Sequence, residues 1–276
     1  VKTDVYEEYI REVARPLSDY TLIQGCCFFT TISMKDEEGQ TDNLTDLIYK
    51  RLGRDNCKIL GVHGLMMPIY YEMLRLQLLM GYKPKKAVVC FSLPNLLNRH
   101  SYYPRAQHPI LFERIQKELK IEDEQYNQFV KLRRERFENL QTDVFVNKTS
   151  KAKSFEKVAK LNFKLRYMAE IEDDSESVFY LKKIIQLCRE NDISVWIGID
   201  PVNYIFGERC FGEAFLDYYN KNLQYVKNLA ERENVHLFDL SFILEREDLP
   251  SEDAVAEISR YSGRVKVADY MCQVLA

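Results

Sequence analysis

The feature that most constrains this chain is a repeated change in the period of its apolar residues. Five short, nearly continuous apolar runs, at Tyr20–Gln24, Cys57–Gly61, Ala87–Ser92, Ile193–Ile199 and Val235–Asp239, read as buried strands. Stretches of helical period lie between them. The clearest is Ser175–Glu190, with Val178, Leu181, Ile184, Ile185 and Cys188 on one face and Asp174 or Ser175 as its cap. Gly212–Glu231 keeps Phe215, Tyr219, Leu223, Val226 and Ala230 in register, and shorter patterns cover Leu44–Leu52, Pro68–Met80 and Arg264–Val274. Strands alternating with helices predict an α/β fold. Its parallel sheet is covered on both faces and joined by right-handed connections, giving a three-layer α/β/α sandwich.

The stretch from Asn98 to about Asp173 is too long for a simple crossover between the third and fourth strands. It is strongly charged around 131–139 and reads as a helical insertion, at about residues 100–173, within a single domain of 276 residues. The other reading is an ordinary solvated helical excursion. Charge balance excludes some partners. With 39 basic and 42 acidic residues the net charge is −3, which removes any bulk-charge argument for nucleic acid or an anionic membrane. At 46% apolar and 29% charged residues the chain is an ordinary globular one, and no apolar run approaches the roughly 20 residues of a membrane span.

Seven cysteines form no zinc-knuckle spacing, and Cys57, Cys90, Cys188 and Cys272 fall in apolar periodic segments. That usage fits a reducing, cytoplasmic setting. The N-terminus has no signal-peptide pattern, and the chain opens at Val1 rather than a methionine, so a longer parent chain with further domains is expected. Its four histidines are scattered, and glycine-rich nucleotide loops are missing, so no metal and no cofactor are expected.

In open α/β sheets ligands bind beyond the carboxyl ends of the strands. The segments there are Gly25-Cys26-Cys27, Gly61-Val62-His63-Gly64, Ser92-Leu93-Pro94-Asn95, Asp200-Pro201-Val202-Asn203-Tyr204, and Asp239 with Ser241. Glycines at strand ends let backbone N–H groups approach a ligand, and Asn95 can add a side-chain N–H. Cys26 and Cys27 sit where a strand turns into a helix, a position that favours a thiolate. Each also has a structural alternative as a turn glycine, a loop cap or a buried thiol. The pairs Tyr70-Tyr71, Tyr102-Tyr103 and Tyr218-Tyr219 can stack on sugar rings or straddle the core boundary.

Taken in order, these blocks resemble the SGNH, or GDSL-type, hydrolase superfamily over most of the chain. Gly25-Cys26-Cys27 stands at the Gly-Asp-Ser nucleophile block, Gly64 at the oxyanion glycine and Asn95 at the oxyanion asparagine. Arg260–Ala268 resembles the segment that follows the catalytic histidine. The resemblance implies a flavodoxin-like five-stranded parallel sheet. It also implies esterase or O-acyltransferase chemistry on a small-molecule or glycan acyl ester, as in family members that act on cell-envelope polymers.

The chain departs from that pattern at its reactive positions. Cys27 replaces the serine, Cys26 replaces the aspartate before it, and Ile258 stands where the histidine belongs, with no histidine after His236. A thiol is intrinsically more nucleophilic than a hydroxyl and needs less help from a base. Here Cys27 is the expected nucleophile, His63 or His108 a substitute base, and Asp253 or Glu257 the carboxylate. The N–H of Cys27, Gly64 and Asn95 form the expected oxyanion hole, with Gly25 and Cys26 lining it. The competing reading is a binding or scaffolding module that has lost turnover. Histidines in loops more often satisfy backbone groups, and carboxylates before a helix more often cap it.

Overall fold

The structure is a computed structural model that describes residues 5–30, 39–61, 67–98, 155–249 and 259–276, with the isolated positions 111, 114, 115, 117 and 118. Its sheet has five parallel strands: β1 (Thr21–Gly25), β2 (Cys57–Gly61), β3 (Lys86–Phe91), β4 (Ser194–Ile199) and β5 (His236–Asp239). They lie in the order β2-β1-β3-β4-β5, the flavodoxin-like arrangement. All five apolar runs became strands, each within a residue or two of its expected limits.

The described helices are α1 (Val5–Val13), α2 (Cys27–Thr30), α3 (Leu44–Leu52), α4 (Met67–Leu79), α5 (Phe155–Tyr167), α6 (Glu176–Glu190), α7 (Tyr204–Phe211), α8 (Glu213–Arg232) and α9 (Tyr261–Leu275). Alternation along the central strand divides the core. Val89 and Phe91 face the cluster built from α1, α4, α6 and α8, whereas Val88 and Cys90 face the one built from α3 and α9. Burial on both faces explains why β3 is apolar without alternation.

Local chemistry sets several boundaries. Asn43 opens α3 with a capping box: its Oδ1 accepts from the Asp46 N–H at 2.9 Å, and Asp46 Oδ2 accepts from the Asn43 N–H at 3.1 Å. Gly53 closes the same helix at φ +83°, a left-handed position that favours glycine. Ser175 takes the cap position of α6 as the sequence allowed, but its hydroxyl donates to the Leu96 carbonyl at 2.6 Å instead. That bond ties the start of α6 to the short 3-10 turn Leu93–Leu96 after β3.

The last part of the expected insertion is helical as α5, whose Phe163 and Tyr167 pack into the core beside Phe215. Most of the remaining insertion lies outside the described residues.

Candidate functional site

The strand order alone selects one place for a ligand. The chain steps from β1 outward to β2 and then returns to pair β3 with the other edge of β1, so the direction of winding reverses between β1 and β3. The crevice at the carboxyl ends of those two strands is the topological switch point of the sheet. Gly25–Cys27 border it from β1, and Ser92–Asn95 border it from β3.

Gly25 ends β1 under the ring of Phe29. A Cβ there would lie 2.1 Å from Phe29 Cδ2, and one at Gly61, its register partner on β2, would lie 2.8 Å from Phe29 Cβ. Both glycines are therefore demanded by one aromatic side chain laid across two strand ends. This packing accounts for Gly25 without any ligand.

The neighbouring cysteines part company. Cys26 is 4% exposed and its thiol donates to Asp200 Oδ2 at 3.8 Å, whereas Cys27 opens α2 and is only partly buried. Asp200 follows β4, is itself 3% exposed, and donates its N–H to the Phe91 carbonyl of β3 at 2.9 Å. Burial, reinforced by the negative charge of Asp200, pushes the Cys90 thiol well up, so that cysteine stays protonated and inert. Of Cys26, Cys27 and Cys90, Cys27 is the one with solvent access.

Asn95 is 7% exposed, and its Oδ1 accepts from the Ser92 N–H at 3.1 Å. With the amide oxygen held in this way, the NH2 end is the one that can donate to a ligand oxygen. Asn203 caps α7 by accepting from the Phe206 N–H at 3.1 Å, which holds the loop after Asp200 in place.

Tyr70 lies in the first turn of α4, at the same end of the sheet, and is buried. Its carbonyl accepts from Gln24 Nε2 at 3.2 Å, while its hydroxyl has no hydrogen-bond partner among the described residues. Burial, with the neighbouring Asp200 and the thiols of Cys26, Cys90 and Cys27 adding to it, pushes its phenol well above the usual tyrosine range. Both Tyr70 and Tyr219 are core residues at 1% exposure, and their neighbours Tyr71 and Tyr218 are half-buried, so those two pairs straddle the core boundary. Tyr102 and Tyr103 lie outside the described residues.

Of the site residues expected from the sequence, Gly25, Cys26 and Cys27 lie at the end of β1 and Asn95 just after β3, its neighbour in the sheet. His63, Gly64 and Asp253 lie outside the described residues, as do His108, Glu257 and Ile258. His236 is placed elsewhere: it begins β5, and its ring stacks on Trp196 at 4.3 Å, away from the strands' carboxyl ends. The segment that opens α9 is tightly built. Arg264 is buried, donating to the Asp42 carbonyl at 3.0 Å and the Ser259 carbonyl at 2.7 Å.

Sequence reasoning gave no role to Asp200 or to the Tyr70 hydroxyl. The sequence places Asp200 beyond the end of a strand but does not pair it with Cys26. Nothing local marks Tyr70. Among the described residues no group of three or more His, Cys, Asp and Glu side chains could hold a metal, and no helix is long and apolar enough to cross a membrane.

No protein-family model matches the chain, and a comparison with curated proteins finds no match. Solved structures do resemble it. A GDSL-like lipase from Bacteroides thetaiotaomicron is 11% identical, with 98% of this chain and 96% of that one covered at a TM-score of 0.47. A catalytic mutant of an acetylxylan esterase from Geobacillus stearothermophilus is 10% identical, with 93% and 94% covered and a TM-score of 0.47. A member of the lipolytic G-D-S-L family from Veillonella parvula is 12% identical, with 92% and 97% covered and a TM-score of 0.44.

Proposed function

We propose that this chain is a hydrolase-like domain that moves acyl groups through Cys27, as an esterase or O-acyltransferase acting on acyl esters of a glycan or cell-envelope polymer. The observation that carries the reading is the division of labour between adjacent thiols. Cys26 is buried against Asp200, while Cys27 opens a helix beside the switch-point crevice with access to solvent. A thiol in that place can attack a carbonyl that enters the crevice, and the Asn95 amide can donate to the oxygen that gains charge.

The Cys27 sulfur forms a bond to the acyl carbon. The ester C–O bond breaks, and the thiol proton ends on the departing alcohol. Water then attacks the thioester to release a carboxylic acid and restore the thiol, or an acceptor hydroxyl takes the acyl group in its place.

His63 is the proposed base. Gly61 pairs with Gly25 across β2 and β1, and His63 follows Gly61 by the same two residues that separate Cys27 from Gly25. Gly64 would add an N–H donor and Asp253 the orienting carboxylate. A thiol nucleophile works only where it stays reduced, so a cytoplasmic location goes with this reading. A specific observation favours the second reading, a binding or scaffolding module of a larger biosynthetic protein: Ile258 stands where the resemblance calls for the histidine.

Turnover of p-nitrophenyl acetate and of an acetyl thioester, compared between the wild type and Cys27→Ala, separates the two. The acyl-transfer reading expects turnover that falls at least about a hundredfold in Cys27→Ala. Equal rates in the two proteins would leave the module reading standing.

A further inference from the structure

At this end of the sheet lie two buried polar atoms that no described residue satisfies. The Tyr70 hydroxyl is a donor without an acceptor, and Gln24 Oε1, on the residue before Gly25, is an acceptor without a donor. The two residues are already joined by the bond from Gln24 Nε2 to the Tyr70 backbone carbonyl. A native fold rarely leaves such groups orphaned, because each costs the desolvation of a polar atom with nothing gained in return. Where orphans persist beside a nucleophile, they mark places that a ligand completes.

We infer that the Tyr70 hydroxyl is a hydrogen-bond donor to the acyl carbonyl oxygen carried on Cys27, and so a further binding and oxyanion-stabilising group of the site; this rests on the acyl-transfer reading above.

Position supports it first. α4 follows β2, so its first turn lies at the carboxyl end of the parallel sheet, where Cys27 also lies. Charge supports it next. The surroundings hold Tyr70 in its neutral form, so the O–H bond remains available to donate across the working range of a thiol. A neutral ester or thioester carbonyl gains charge only as the sulfur adds. A donor that strengthens its bond at that moment accelerates the step.

The alternative is that a buried water joins Tyr70 to Gln24 as part of the structure. Tyr70→Phe distinguishes the two, because it removes one oxygen and keeps the ring. The experiment follows the rate at which p-nitrophenyl acetate acetylates Cys27, read by peptide mass after acid quench, alongside urea unfolding of the same proteins. The inference expects acetylation in Tyr70→Phe to slow roughly ten- to a hundredfold, with an unfolding midpoint equal to or above that of the wild type. Acetylation at the wild-type rate would overturn this inference and leave the acyl-transfer reading intact. A lowered unfolding midpoint would assign the hydroxyl a structural role and overturn it as well. No acetylation of Cys27 in the wild type would overturn both.

Discussion

At the scale of single residues, one ring explains more of the site than any polar group does. Phe29 covers the ends of β1 and β2 and requires a glycine beneath it on each strand. Gly25→Ala drives a methyl group into that ring at 2.1 Å from Cδ2, a distance that packing cannot accommodate without shifting α2 and Cys27 with it. The expected loss is about 2 kcal/mol of stability by urea unfolding, and it should shrink when Phe29→Leu is added. Gly25 illustrates the limit of reading a strand-end glycine from sequence. The residue type was informative, but a backbone approach to a ligand and a close approach of a neighbouring ring make the same demand. The position of Cys27 at a strand-to-helix turn was legible because the apolar run before it ends at Gly25. The bond from Cys26 to Asp200 joins residues 174 positions apart, which no local pattern encodes.

The same contrast holds for whole elements. Strands and long helices were legible because their periods are enforced by burial on known faces. α1 was not, and its anchor shows why. The carboxyl end of α1 is held by a charged residue: Lys58 Nζ donates to the Val13 carbonyl, with the rings of Tyr20 at 4.3 Å and Tyr82 at 4.9 Å from the ammonium. A lysine within an apolar strand reads as an interruption, whereas here it satisfies the end of a helix and a pair of aromatic faces. Burial, helped by the nearby charge of Arg15, lowers the Lys58 ammonium to about 8. The folded state then sheds this proton before the unfolded state does. Between pH 8 and the usual lysine range the unfolded chain binds more protons, so this group makes stability rise with pH. The expected rise is about 1 kcal/mol between pH 8 and pH 10, measured by urea unfolding, and it should be missing in Lys58→Met. A wild-type profile that falls over this range as steeply as that of Lys58→Met would contradict the assignment.

At the scale of the whole molecule, the alternation of periods was enough to specify a parallel sheet covered on both faces. The order of the blocks along the chain, read through the family resemblance, supplied the strand order. The crevice between β1 and β3 follows from that order before any side chain is considered. What the sequence left hidden is which groups converge there, because Tyr70, Asp200 and Cys27 come from three different strand-to-helix connections. The candidate site is thus a property of the topology, with the Cys27 thiol partly buried and the Cys26 thiol buried beside a carboxylate. The most direct test is to react the protein with p-nitrophenyl acetate, quench it in acid and map the acetyl group by peptide mass. The acyl-transfer reading predicts an acetyl thioester on Cys27, with Cys26 and Cys90 unmodified. An unmodified Cys27, or acetyl groups scattered over the exposed lysines alone, would contradict it.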